Sequence, residues 1–251
     1  MITASVFRPA YPLDIAESVP TIERRLSAFI WEDDSRRCVS LRRVLSIFTG
    51  RFDKAAIIGG MVRDFARVGA PGFHSDVDMV IDAPASEVAE FAAAHGARVN
   101  AFGGFSLIAD GWEVDFWPLG STWAMREGHV KLERLEDVIR STFFDHDAII
   151  YDIGRRRVIC DEGYVARQPL NMLEINLMPN PSIHGSLYRA ARRILGWELT
   201  PGPKLRLFID EHLDVAAFDH MVATELRKKA VPIIGSFPDV DALRAKLGAG
   251  T

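Results

Sequence analysis

The segment from residue 55 to residue 81 constrains the fold of this chain more than any other. It starts with a short apolar run, Ala55–Ile58, which predicts a buried strand. The Gly59-Gly60 pair interrupts the run, and the residues after it predict a helix over residues 61 to 68. After a loop rich in Gly and Pro, the apolar residues at 77, 79 and 81 alternate with Asp76, Asp78 and Val80, which predicts a second strand. The segment therefore predicts strand, glycine turn, helix and strand in succession.

Two acidic residues of this segment, Asp76 and Asp78, are predicted to share one face of the second strand because side chains alternate there with a period of two. Oxygen ligands of this kind suit Mg²⁺. Backbone N–H groups at a helix start bind phosphate, and the glycines of Gly59-Gly60 allow a close approach. Together these features indicate a site for a metal-bound triphosphate. Taken alone, each is also typical of an ordinary strand, turn or surface.

Length and composition are those of an ordinary globular protein. The chain has 251 residues, of which 48% are hydrophobic and 25% charged, and its net charge is −4. This acidic balance argues against a global attraction to nucleic acid and against reading of DNA sequence. The two cysteines fit a reducing compartment, and we find neither a signal peptide nor an apolar run long enough to cross a membrane. We therefore expect a soluble cytoplasmic protein without membrane partners.

The remaining pattern predicts an α/β (α+β) fold, with a mixed sheet flanked by helices and a short C-terminal helical tail. We place a head over residues 1–180 and the tail over residues 181–251. The pair Asp110-Gly111 between two alternating runs is typical of a two-residue hairpin. Further helices are predicted over residues 21–30, 40–49, 86–95, 132–141, 186–195, 204–213, 215–229 and 238–247, and further strands over residues 97–99, 105–109, 112–116, 148–151 and 158–160.

A third carboxylate would complete a two-metal site, and Asp115 in the run WEVDFWPL is the best candidate, with Glu113 on the same face as the reserve. Arg63 and Arg67, one helical turn apart, are candidates for charge-assisted contacts with phosphate. The histidines at positions 74, 146 and 184 have no second ligand at a useful spacing, which predicts surface or loop positions for them.

The motif GGMVRDF followed by SDVDMVID resembles the GGxVRD…DxD signature of class II CCA-adding tRNA nucleotidyltransferases and bacterial poly(A) polymerases. The resemblance covers about residues 50 to 200. It implies a nucleotidyltransferase-like head in which Gly59, Gly60 and Arg63 meet the triphosphate. It also implies that Asp76 and Asp78 hold two Mg²⁺ ions. Enzymes of this family transfer a nucleoside monophosphate from an NTP to a hydroxyl group and release pyrophosphate, and we expect ATP or CTP as the NTP here.

The chain departs from the family pattern in three places. Residues 141 to 147, STFFDHD, stand where the family has RRDFTIN, so Thr142-Phe143 replaces the Arg-Asp pair associated with the ribose, and Arg140 lies just outside that register. The family's EDxxR is missing near the helix that carries Arg189, Arg192 and Arg193, and these arginines fit a solvated face as well as a nucleotide contact. About fifty residues follow Pro201, where the family has a long helical body.

These departures leave several functions open. The first is a Mg²⁺-dependent nucleotidyltransferase whose acceptor is an RNA end, a protein hydroxyl or a small molecule, and not tRNA in the usual manner of the family. The second is a non-catalytic protein that binds nucleotide or regulates a partner with the same head fold. A third, an RNA-binding module without chemistry, is disfavoured by the acidic balance.

Overall fold

The computed structural model describes residues 13–73, 76–228 and 230–248. The chain folds into two compact units. A sheet unit comprises residues 13–142 and 146–169, and a helical unit comprises residues 143–145 and the described residues from 170 onward. The division into a head and a tail at residue 180, drawn from the sequence, stays a prediction. Within the described residues, no helix is both long and apolar enough to span a membrane.

The helices and strands alternate through the first two thirds of the chain and give way to helices after it. The helices are α1 Val19–Ser27, α2 Arg36–Thr49, α3 Gly60–Arg67, α4 Ala85–Ala94, α5 Trp123–Arg126, α6 Tyr164–Arg167, α7 Ile183–Trp197, α8 Pro203–His212, α9 Val215–Arg227 and α10 Val240–Lys246. The strands are β1 Ala55–Ile58, β2 Val77–Ile81, β3 Arg98–Val99, β4 Phe105–Ala109, β5 Trp112–Pro118, β6 Ile149–Asp152, β7 Arg157–Cys160, β8 Met172–Leu173 and β9 Thr200–Pro201.

The sheet unit contains a seven-stranded mixed sheet in the order β3-β4-β5-β2-β1-β6-β7. Neighbouring strands are antiparallel except β2 and β5, which run parallel. Strand β1 lies near the middle and all four of its residues are buried, because apolar clusters cover both faces of the sheet. Ala55 and Ile57 contribute to the larger cluster, and Ala56 and Ile58 to the smaller one. The predicted α/β mixed fold is confirmed.

Most predicted elements are present, and three need correction. Helix α1 begins two residues before its predicted start because Ser18 caps it: the Ser18 hydroxyl accepts a hydrogen bond from the Thr21 N–H. Helix α2 begins four residues before its predicted start because Ser35 caps it. The helix predicted over residues 132–141 is instead a 3₁₀ segment, Leu135–Ser141. The Ser141 hydroxyl donates to a carbonyl three residues back, at Val138, in keeping with this tighter winding.

The helical unit is organised around the carboxylate of Glu225 on α9, which is 2% exposed. It accepts hydrogen bonds from the backbone N–H groups of three residues in the turn at 233–235. On its other side, Arg192 of α7 donates to it at 2.6 Å. One buried carboxylate thereby ties α7, α9 and the turn before α10 together.

We expect Glu225→Ala to destabilise the protein by about 3 kcal/mol, because it leaves Arg192 and three N–H groups without their acceptor. Urea unfolding followed by circular dichroism measures the loss. Asp219→Ala, at an exposed position of the same helix, is the matched control and should change stability by less than about 0.5 kcal/mol. Equal losses in both variants would contradict this account of the helical unit.

Candidate functional site

Two carboxylates meet at the parallel strand pair of the sheet unit. The register of β2 and β5 places Asp78 directly opposite Asp115. Both side chains lie on the sheet face of the smaller apolar cluster, because their neighbours Val77 and Val114 belong to the larger cluster on the opposite face. Strand β4 adds a hydrogen bond from the Ser106 hydroxyl to Asp115 Oδ1. The structure thus brings together two residues that are far apart in sequence.

The electrostatic environment of Asp78 shows which other charges lie near it. Burial raises the pKa of its carboxyl to about 7, helped by repulsion from Asp115, Asp76 and Asp147, whereas Arg63 acts in the opposite direction. Asp76, which immediately precedes β2, is exposed. We call Asp76, Asp78, Asp115 and Asp147 the carboxylate cluster. The first three were predicted as metal ligands, and the structure places all three in it.

Asp147 was missed by the sequence analysis. It lies just before β6, in the segment that replaces the family's RRDFTIN, and the altered motif itself was the available signal. Ile58 of β1 pairs with Asp78 on one side and with Ile150 of β6 on the other. Asp147 therefore lies near the cluster because β1 separates β6 from β2 by only one strand.

The turn between β1 and α3 lies beside the same cluster. Gly59 has φ 71° and ψ −122°, a backbone conformation that residues with a Cβ rarely adopt. A Cβ on Gly59 would lie 3.9 Å from Asp78 Oδ2, so the turn and this carboxylate are close neighbours. Gly60 opens helix α3. The predicted glycine turn and the acidic residues thus lie together, as a triphosphate site requires.

Gly59→Ala should destabilise the protein by about 1–3 kcal/mol through backbone strain, because the contact at 3.9 Å is itself an ordinary one. Gly120 offers a matched control, since its φ is not positive and a Cβ there would meet no atom within 4 Å. Thermal unfolding of Gly59→Ala and Gly120→Ala compares the two positions. A loss of stability no larger at Gly59 than at Gly120 would contradict the assignment of strain.

Arg63 of α3 is held by two carboxylates. Its Nη1 lies 2.7 Å from Asp147 Oδ1, and its Nε and Nη2 lie 2.9 and 2.8 Å from Asp64 Oδ1. Burial lowers the pKa of a guanidinium, but attraction to Asp64 and Asp147 outweighs burial and raises the pKa of Arg63. Arg63 is therefore a fixed, fully charged neighbour of the cluster.

Arg67, predicted to contact phosphate, and Arg140, predicted to bind the nucleotide if it substitutes for the ribose-associated arginine, have other partners in the structure. Arg67 is fully buried, and its Nη1 donates to the Gln168 side chain at 2.9 Å. Arg140 is exposed and pairs with Asp137 at 2.9 Å. The spacing in the sequence places Arg67 one helical turn from Arg63 but does not show that the Arg67 side chain is buried.

The donor chemistry of the cluster fits a hard divalent cation, since carboxylate oxygens are the ligands that Mg²⁺ prefers. Like charges gathered in a partly buried place favour a cation between them, and the pKa of Asp78 is raised first by burial and then by this repulsion. However, among the described residues, no three His, Cys, Asp or Glu side chains converge on one point in the geometry of a metal site. The residues fit Mg²⁺ by chemistry and proximity, without a pre-formed coordination shell.

Phe143 and His146, both within residues 141 to 147, are buried. Phe143 is buried and packs edge-on against Phe144 and against Phe208 of α8 in the core of the helical unit. His146 is fully buried in the sheet unit, so the predicted surface or loop position is wrong for it. His184 is exposed, as predicted, and His74 lies outside the described residues.

The arginines of helix α7 have partners within the helical unit. Arg192 pairs with Glu225 and also donates to the Val231 carbonyl at 2.9 Å. The Arg193 guanidinium lies 4.5 Å from the centre of the Phe144 ring. Their nucleotide-contacting role stays a prediction.

The comparisons with known proteins rest on structure alone. The sequence matches no protein-family model and no curated protein sequence. The fold is similar to that of the Thermotoga maritima CCA-adding enzyme complexed with tRNA, with a TM-score of 0.57 and 16% identity over 92% of this chain. It is also similar to a CCA-adding enzyme in complex with CTP (TM-score 0.53, 17% identity, 83% of this chain) and to an apo form of a CCA-adding enzyme (0.51, 17%, 81%).

At 16–17% identity these similarities establish the fold and nothing finer. The matched parts are 53%, 48% and 49% of those enzymes, so this chain spans about half their length. The resemblance that the GGMVRDF and SDVDMVID motifs indicate is confirmed as a shared fold. Among these enzymes, one is bound to tRNA and one to CTP.

Proposed function

We propose that this protein is a metal-dependent nucleotidyltransferase, which moves a nucleoside monophosphate from an NTP to a hydroxyl acceptor. The observation that carries the proposal is the in-register pair of Asp78 and Asp115 beside the glycine turn at Gly59. The shared fold with CCA-adding enzymes, one of them bound to CTP, supports it. ATP and CTP are the first nucleotides to test.

In the reaction, the acceptor oxygen forms a bond to the α-phosphorus as the bond from that phosphorus to the bridging oxygen breaks. Pyrophosphate leaves with the electron pair, and the hydroxyl proton passes to solvent. Backbone N–H groups of Gly59 and Gly60 bind and orient the triphosphate at the start of α3. Asp76, Asp78 and Asp115 would hold two Mg²⁺ ions, and this metal pair would supply neutralisation of charge on the phosphates and a lower pKa of the attacking hydroxyl.

The acceptor that we propose is not tRNA bound in the usual manner of the family. The net charge of −4 gives no general attraction to a polyanion, and two arginines of α7 are engaged with Glu225 and the Phe144 ring. An RNA end, a protein hydroxyl and a small molecule are the classes of acceptor to distinguish.

The direct test is to incubate the protein with each α-³²P-labelled NTP, Mg²⁺ and a cell extract of its host. The fractions that become labelled are then separated into RNA, protein and small molecules. We expect label in one fraction, pyrophosphate release in proportion to it, and loss of both with EDTA. No label above that of an Asp78→Ala control, with any of the four nucleotides, would contradict the proposal.

A second candidate, a non-catalytic nucleotide-binding protein, is favoured by one observation. Phe143, which stands in place of the family's ribose-associated Asp, is packed in an apolar core and has no polar group to offer a sugar. This candidate predicts NTP binding in calorimetry without turnover. Attachment of labelled nucleoside monophosphate to any acceptor would exclude it.

A further inference from the structure

The ion pair between Arg63 and Asp147 joins two distant parts of the sheet unit. It links helix α3 to the residues just before β6, with 2.7 Å between Nη1 and Oδ1. The two side chains keep only 11% and 16% of their exposure. Asp64 holds the other edge of the same guanidinium through Nε and Nη2. A planar guanidinium bound on two edges is fixed in position, unlike a surface arginine that is free to follow a ligand.

The position of this ion pair is defined by the sheet. Ile58, the last residue of β1, pairs with Asp78 on one side and with Ile150 on the other, and Asp147 precedes that second strand by two residues. Arg63 lies in the first turn of α3, the helix that follows β1. The guanidinium is thus held at the end of β1, where its positive charge opposes the repulsion among the carboxylates.

The balance of charge around this point is strongly negative. Asp76, Asp115 and Asp147 all repel the Asp78 carboxylate, and the Arg63 guanidinium acts on it in the opposite direction. Asp64 adds a further carboxylate next to Arg63. A resident cation in such a place stabilises the cluster when no metal is bound, and it repels a metal that enters.

We propose that Arg63 is a resident counter-ion of the carboxylate cluster, and that Asp147 is the positioning residue that holds it there. This inference rests on the proposed function, which assigns divalent cations to Asp76, Asp78 and Asp115. Arg63 then sets how tightly the metal binds.

The test measures binding of Mn²⁺ alone, by electron paramagnetic resonance of the full chain at low salt and without nucleotide. Arg63→Gln removes a positive charge and should tighten Mn²⁺ binding by at least about tenfold. Asp147→Asn removes a negative charge and should weaken binding severalfold. The double variant restores the net charge and should return to within about threefold of wild type. Loss of structural support alone has no reason to tighten metal binding, so the sign of the first change is decisive.

Unchanged or weaker Mn²⁺ binding in folded Arg63→Gln would overturn the inference, as would a double variant that stays as weak as Asp147→Asn, because Asp147 would then be a ligand. If Arg63→Gln does not fold, Asp147→Asn and the double variant still decide the matter. Absence of Mn²⁺ binding by the wild type would sink the metal part of the proposed function. In that case thermal unfolding decides on the ion pair: Asp147→Asn should recover stability in the Arg63→Gln background, and additive losses would overturn the pairing.

Discussion

Asp78→Ala should lower nucleotidyl transfer by about a thousandfold or more, because several kcal/mol of charge stabilisation at the phosphates would depend on the cations that we propose this residue to hold. Asp78 lies opposite Asp115 and 3.9 Å from the position of a Cβ on Gly59, so it adjoins both halves of the proposed site. Pyrophosphate release at saturating NTP and Mg²⁺ measures the loss. We expect Asp76→Ala to follow it in the same direction.

Glu113→Gln is the matched control for this experiment. Glu113 lies on the same strand and the same sheet face as Asp115, two residues away, but is exposed. Its replacement removes a carboxylate without touching the cluster and should leave the rate within about twofold of wild type. Circular dichroism of each variant establishes that it is folded. Equal rates in Asp78→Ala and Glu113→Gln would refute the assignment of the site.

The metal-free protein should lose stability as the pH rises from about 4 to about 7. The pKa of Asp78 is raised to about 7 by burial and by Asp115, Asp76 and Asp147, whereas an unfolded aspartate has a pKa near 3.8. Between these values the folded state keeps a proton that the unfolded state has released, so unfolding becomes easier with rising pH. The stability that this proton contributes is fully present at pH values below the pKa of Asp78 in the unfolded chain. It is lost as the pH rises through the pKa of Asp78 in the folded protein. The full difference is on the order of 4 kcal/mol.

Urea unfolding in EDTA at a series of pH values measures this dependence. Asp78→Asn should flatten the slope between pH 4 and 7 and make the metal-free protein more stable than wild type at pH 8. Glu113→Gln should keep the slope of the wild type. Addition of Mg²⁺ at pH 8 should stabilise the wild type and not Asp78→Asn. A slope that is unchanged by Asp78→Asn would show that Asp78 ionises normally in the folded protein.

Local pattern was enough for much of the fold. The run of apolar residues at 55–58 and the alternation at 76–81 predicted the bounds of β1 and β2 to within one residue. The pair Asp110-Gly111 has φ of 49° and 84°, the left-handed values that a two-residue hairpin of this type requires. In each of these cases the residues that determine the structure are neighbours in sequence.

The errors lie where partners are distant in sequence. In the sequence Arg67 has the pattern of a surface arginine. In the structure it is buried and bonded to Gln168, which lies a hundred and one residues later in the chain. The altered motif around Asp147 was the available signal for it, but the sequence does not pair Asp147 with Arg63, which is eighty-four residues away. Asp115 could be proposed from the sequence, but only the parallel register of β2 and β5 sets it against Asp78.

That parallel register has a consequence for how the protein folds. Hairpins such as β4–β5 and β6–β7 close over a few residues, whereas β2 meets β5 across a connection that contains α4, β3 and β4. Non-local pairings must overcome the entropy of closing a long loop before their contacts form. We therefore expect the hairpins to form first and Asp78 to meet Asp115 late. Asp78 and Asp115 then come close enough to repel each other only after most of the surrounding core has formed.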